Sequence, residues 1–201
     1  MASIVMGNEV NVKLGARPDR GVRAAQPGDG AFMAQLQAQG MARSLQRGLE
    51  QVAAKPEMFD VRAMTQVWEQ SIRATSQPGQ RILVATHEGE AVGFAAVASG
   101  ETVKGGQGEE IIAFEVAAER LDEGHAERLM AAVTDLAQED GATHVSMWVV
   151  ADDEPRTEFL ESCGFGPSGG KRTLQIGVEK VGQHLWWAGL EKKVENKRET
   201  P

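Results

Sequence analysis

A short segment, Asp122-Glu123-Gly124-His125-Ala126, stands directly before a helical run that puts Ala126, Leu129, Met130, Val133 and Leu136 on one face. Backbone N–H groups at a helix start have no partner within the helix. Small residues such as Gly124 and Ala126 let an anion approach those groups, and the helix dipole adds to the attraction. The same place admits a second reading, in which Asp122 caps the helix by accepting from the N–H groups itself. His125 falls in the first turn, where the dipole favours its neutral form, and the sequence offers it no partner. His87 lies in a turn and His184 near the last strand, and both read as surface or satisfied side chains. The four histidines have no metal-ligand spacing, so no metal site is expected. The chain has no tyrosine, so no phenol is available as a general acid.

Composition narrows what such a segment serves. A chain of 201 residues with 41% hydrophobic and 25% charged residues has ordinary globular composition, which excludes wholesale disorder, collagen-like repeats and disulfide scaffolds and favours one domain. The longest apolar stretch, Ala91 to Ala98, is far shorter than the roughly 20 residues that cross a bilayer, so no membrane association is expected. The first twenty residues carry Glu9, Lys13, Arg17, Asp19 and Arg20 and do not match a secretory signal. One cysteine, Cys163, cannot form an internal disulfide, which points to the reducing cytoplasm. A net charge of −8 argues against a general nucleic-acid binder, since such proteins need clustered Lys and Arg to displace counterions.

The elements that must hold the segment alternate. Residues 1–20 are expected to form a disordered arm, 21–190 the folded domain and 191–201 a charged, solvated tail. Gly21–Ala25 reads as a strand. A helix with Phe32 and Leu36 follows and is expected to stop at Gly40, and a second carries Met41, Leu45, Leu49 and Val52 as far as Pro56. Asp60 is a good N-cap for a third, with Val61, Met64, Trp68 and Ile72 on one face. Arg81–Thr86 and Ala91–Ala98 form a hairpin, Gly100–Gly108 a polar loop with four glycines, and Glu110–Val116 the next strand. After the helix that Gly141 closes come the strand Thr143–Val150, a short helix from Pro155 to Gly164, and strands Lys171–Ile176 and His184–Leu190.

This order, over about residues 21–190, resembles the GNAT family of N-acetyltransferases in two segments. The first is Glu110 to Ala126. The family has a Val-x-Pro strand end followed by Gln/Arg-x-x-Gly-x-Gly/Ala, whose backbone holds the pyrophosphate of acetyl-CoA. Here Val116 is followed by Gly124 and Ala126 at the family spacing, but Ala118 stands for the proline, Leu121 for the Gln/Arg and Asp122 for the next glycine. The second is Trp148 to Phe165, similar to the family's Asn-x-x-Ala-x-x-Phe-Tyr-x-x-x-Gly-Phe element beside the pantetheine arm. Phe159, Gly164 and Phe165 match, whereas Asp153 replaces the Asn, Arg156 the Ala and Leu160 the Tyr.

The resemblance implies an α+β fold, with a mixed, mostly antiparallel sheet of about seven strands flanked by helices. It also implies acetyl-CoA as co-substrate, held around Phe114, Val116, Leu121, Asp122, Glu123, Gly124, His125, Ala126, Asp153 and Phe159. Direct transfer of the acetyl group to a primary amine of a small molecule or peptide would follow, with Glu110, at the family's acidic position, as base. The acceptor would lie between the helices of residues 31–76 and the final strands. Asp122 opposes a nearby phosphate by about 1–3 kcal/mol, against about 1.5–3 kcal/mol returned by each charge-assisted N–H bond. The lost tyrosine forfeits roughly 10²–10⁴ in rate, which water and a thiol pKa near 8.5 make tolerable. Cys163 falls in an apolar position of the family and is expected to be a buried thiol. Trp186 and Trp187, adjacent on a strand, must face opposite sides, one in the core and the other at the acceptor cleft or a homodimer contact. The departures at Leu121, Asp122 and Leu160 motivate an alternative, a catalytically degenerate member used for ligand sensing or protein association.

Overall fold

Apolar residues two apart in the strands and three or four apart in the helices dictate a sheet covered on both faces. The computed structural model describes residues 19–49, 53–74, 79–103 and 105–190. The arm expected over 1–20 falls outside them but for its last two residues, as do Val52 and the tail 191–201. The elements are β1 (Arg20–Ala24), α1 (Gly30–Gly48), a 3-10 turn (Pro56–Met58), α2 (Val61–Ala74), β2 (Arg81–His87), β3 (Glu90–Val103), β4 (Gly106–Val116), a second 3-10 turn (Ala118–Glu123), α3 (His125–Glu139), β5 (His144–Val150), α4 (Glu154–Ser162), β6 (Gly166–Ile176) and β7 (Glu179–Gly189). Among the described residues one mixed sheet has the order β1-β2-β3-β4-β5-β7-β6. Its paired neighbours are antiparallel except β4 and β5, which are parallel.

Alternation sorts the two faces. Leu83, Ala95, Phe114 and Val145 pack with Leu129 and Val133 of α3 and Leu160 of α4, while Val84, Phe94 and Ala113 pack with Met33 and Leu36 of α1 and Trp68 of α2. Trp68 meets Phe94 edge to face, ring centroids 5.3 Å apart, and its indole N–H donates to Gln37 Oε1 at 2.9 Å, which locks α2 to α1.

Several boundaries differ from expectation, and close packing explains them. Gly40 does not stop α1, which continues to Gly48, because a mid-helix glycine costs only about 1 kcal/mol. A Cβ at this position would overlap the Glu115 carboxylate, so the glycine serves close approach. The expected loop Gly100–Gly108 is mostly paired ribbon, with Thr102 opposite Gln107 and Val103 opposite Gly106. Two of its glycines are again matters of room, since a Cβ on Gly106 or Gly108 would strike Thr143 or His144, whereas Gly105 takes the left-handed φ of 81° at the turn. β6 and β7 likewise begin earlier than the expected strands, at Gly166 and Glu179, with a tight turn at Gly177 between them. Asp60 caps α2 as expected, its carboxylate accepting from the Ala63 N–H at 2.9 Å.

The β1–α1 turn is held by charge. Asp29 accepts from both terminal nitrogens of Arg23, at 2.6 and 2.9 Å, and from the Gln26 N–H at 2.7 Å. Glu69 of α2 accepts from Gly28 and Gly30 at the start of α1. Burial alone would raise the Asp29 pKa, but the Arg23 and Gln26 hydrogen bonds and the Arg23 charge bring it below its ordinary 3.8. A depressed carboxylate contributes stability above its unfolded pKa and loses it as pH falls through the folded value. Asp29→Asn should therefore cost about 1–2 kcal/mol in urea unfolding at neutral pH, and the gap from wild type should close as pH drops below 3.8. A gap independent of pH would show that the ionised carboxylate is not what holds the turn.

Candidate active site

The sheet opens at the parallel pair. β4 and β5 are hydrogen-bonded only where Gly108–Ile111 run beside His144–Met147, although β4 continues to Val116 and β5 to Val150. Just beyond the paired stretch β4 bulges. Its register against β3 steps from Val97–Ile111 to Ala96–Ala113 and leaves Ile112 unpaired and 54% exposed. The extra residue reverses the alternation, so Ala113 faces α1 and α2 while Phe114 and Val116 face α3.

Two cavities flank the opening and share Ser44, Phe114, Glu115 and Arg156. The smaller, about 310 Å³, lies toward α3 and is lined by Phe114, Val116, Leu121, Ala126, Asp153 and Phe159 of the expected cofactor set. Arg43 and Arg47 of α1 join them there. The larger, about 390 Å³, is lined by Gln37 and Met41 of α1, by β4 and β5, and by Arg172, Leu174 and Gln183 of the last hairpin. Glu110 lines this larger cavity and not the smaller one. Of the helices within residues 31–76, α1 borders it and α2 does not.

At the start of α3, Gly124 takes the left-handed conformation, φ 76°, that a side chain would resist, and no side chain caps the helix. Asp122 is exposed in the preceding turn, so the capping reading fails and the first-turn N–H groups carry no side-chain acceptor. Glu123 and His125 are not among the residues that line the smaller cavity. His125 is fully buried and, contrary to expectation, has partners: His87 Nδ1 lies 3.1 Å from its Nε2 and Glu123 Oε2 lies 3.4 Å from it. Burial depresses its pKa, with the Arg20 and His87 charges acting in the same direction and Glu123 opposing.

The junction of the cavities holds, beside the expected Phe114 and Asp153, a group that the sequence did not single out as site residues: Arg156, Glu115, Ser44, Arg43 and Arg47. Arg156 reaches from α4 to β4, where Nη1 donates to the Phe114 carbonyl at 2.8 Å and Nη2 to the two oxygens of Glu115 at 2.9 and 3.1 Å. Its Nε lies 3.4 Å from Asp153 Oδ2, which also accepts from Ser44 Oγ at 2.6 Å. Arg43 and Arg47 approach Glu115 and Asp153 at 3.7 and 3.5 Å. Burial pushes the Glu115 pKa up, with Arg156 and Arg43 pulling it back. Burial alone would lower that of Arg156, but Glu115 and Asp153 more than offset it, so the guanidinium stays charged. An arginine in the alanine position of the second family segment was the signal available.

The remaining side chains are quiet. Leu160, in the tyrosine position, is fully buried in the core. Cys163 is half-buried, less deeply than expected, and burial raises its pKa. Trp186 is in the core and Trp187 is 41% exposed, the division that strand geometry requires.

The sheet is thus open between two parallel strands, with an uncapped helix start at the opening. The profile of the Acetyltransferase (GNAT) family matches residues 36–165, and the chain belongs to that family. No functionally curated protein matches the sequence. Among solved structures, the ribosomal-protein-alanine N-acetyltransferase of Brucella melitensis is similar at 18% identity and TM-score 0.61, over 84% of this chain and 99% of that one. A putative acetyltransferase from Salmonella typhimurium, solved with its cofactor acetyl-CoA, is similar at 14% identity and TM-score 0.59, over 88% and 96%. At these identities the likeness carries the fold alone. No helix among the described residues is long and apolar enough to cross a membrane.

The packing of Glu115 against α1 is directly testable. Gly40→Ala gains helix propensity of about 1 kcal/mol, yet should lower stability by about 1–3 kcal/mol, because its Cβ displaces the Glu115 carboxylate. Urea unfolding that shows a stabilised variant would mean that Glu115 is not seated there.

Proposed function

We propose that this chain is an acetyl-CoA-dependent N-acetyltransferase that transfers the acetyl group directly to a primary amine of a small molecule or peptide. The observation that carries the reading is the opening between β4 and β5, with a cavity on each side and the uncapped N-terminus of α3 beside one of them. The residues present fit an acyl-CoA in part. Phe114, Val116, Leu121, Ala126, Asp153 and Phe159 line a course for the arm, and the backbone from Gly124 to Ala126 supplies a seat for the diphosphate. Arg43 and Arg47 add positive charge on the facing side. The co-substrate supplies a thioester carbonyl open to attack by an amine.

Glu110 lines the larger cavity and is positioned to take the proton from an ammonium acceptor. Glu115 is closer to the junction but is held at both oxygens by Arg156, which leaves Glu110 as the free carboxylate of that wall. With Leu160 buried, the leaving thiolate takes its proton from water.

A second reading rests on Arg156. Its guanidinium occupies the Phe114 carbonyl and the gap itself, so an arm running along β4 must displace it. If it is not displaced, the chain keeps the fold as a sensing or association module.

Thermal unfolding with acetyl-CoA separates the two. At ligand 100 times above Kd the gain should be about 2.7 kcal/mol, and no shift at millimolar ligand leaves the second reading. Glu110→Gln should lower turnover of an amine substrate by roughly 10²–10⁴ without changing acetyl-CoA binding. Turnover equal to wild type would remove Glu110 as the base.

A further inference from the structure

Outside the cavities, three segments distant in sequence bring potential ligand atoms to one point. His87 closes β2, Glu123 ends the 3-10 turn, and His125 opens α3. His87 Nδ1 lies 3.1 Å from His125 Nε2 and 3.2 Å from Glu123 Oε2, and the third edge, His125 Nε2 to Glu123 Oε2, is 3.4 Å. We propose that His87, Glu123 and His125 form a binding site for a divalent first-row transition metal such as Zn²⁺.

The triangle has the dimensions of a coordination face. Metal–ligand bonds of about 2.0–2.1 Å at tetrahedral angles place neighbouring ligand atoms about 3.3–3.4 Å apart, and an open fourth position is filled by water. Two imidazoles and a carboxylate are the donor set that zinc accepts. Hydrogen bonds alone serve these groups poorly. His125 is fully buried, and its Nε2 shares with His87 a single carboxylate oxygen of Glu123.

The neighbouring charges set the affinity. Arg120 Nη1 donates to both oxygens of Glu123, at 2.9 Å to Oε1 and 3.3 Å to Oε2, and Arg20 lies 3.8 Å from Oε2 while also donating to the Glu123 carbonyl. Two guanidiniums near a dication weaken it, so the site is expected to be micromolar and exchangeable. A metal here would clasp the end of β2 to the first turn of α3, fixing the backbone of the anion seat. The inference does not depend on the acetyl-transfer reading.

The chelator-stripped full chain titrated with zinc chloride by calorimetry should bind one ion per chain and gain thermal stability. Cobalt(II) should give the intense visible absorption of a four-coordinate site. His87→Ala, a change near the surface, should weaken zinc at least about 100-fold, and Glu123→Gln at least about tenfold. His184→Ala should leave binding intact. Absence of binding in the wild type, or binding that His87→Ala and Glu123→Gln both leave unchanged in correctly folded protein, overturns the proposal.

Discussion

The ion pair between Arg156 of α4 and Glu115 of β4 sits where β4 and β5 cease to be joined by their own hydrogen bonds. Beyond Ile111 and Met147 the facing edges of β4 and β5 no longer pair, and a buried carbonyl left without a donor costs about 1–3 kcal/mol. Arg156 supplies that donor to Phe114 and pairs with Glu115 in the same reach. Desolvating both ions is itself expensive, and such a pair does little for net stability over an apolar replacement. What it does is specify: α4, β4 and, through Arg43 and the room left by Gly40, α1 are fixed relative to one another.

The bulge at Ile112 makes this arrangement available. Without the extra residue, strict alternation would turn Phe114 toward α1 and Glu115 into the apolar cluster beneath α3. With it, Phe114 completes that cluster beside Phe159, ring centroids 5.5 Å apart, and Glu115 meets Arg156 in the gap. One inserted residue thus separates the apolar wall of the smaller cavity from the charged junction of the two.

The sequence-level reading succeeded where information was local. Hydrophobic periodicity placed the helices and the core strands, Asp60 marked the start of α2, and the Val116 to Ala126 spacing located the turn before α3. It failed where a residue answers to a partner far along the chain. Gly40 looks like a helix stop until Glu115 is seen against it, and Gly106 and Gly108 look like a loop until Thr143 and His144 are placed beside them. Arg156 and Glu115, His87 and His125, and Ser44 and Asp153 are all joined by tertiary structure across long separations. No spacing rule along a single sequence brings such pairs together.

The departures from the family pattern gain meaning when charge is followed through the site. In place of a short alanine, the opening holds the guanidinium of Arg156, while Leu160, in the tyrosine position, is turned into the core. That cation is not neutralised from one side, because Glu115 and Asp153 both meet it while Arg43 and Arg47 meet them. Arg43 and Arg47 compete with Arg156 for the same two carboxylates, so whatever draws the outer arginines away leaves Glu115 and Asp153 holding Arg156 more tightly. The junction is thus a balance of three cations on two carboxylates, in which the charge carried by α1 sets how tightly α4 is held to β4.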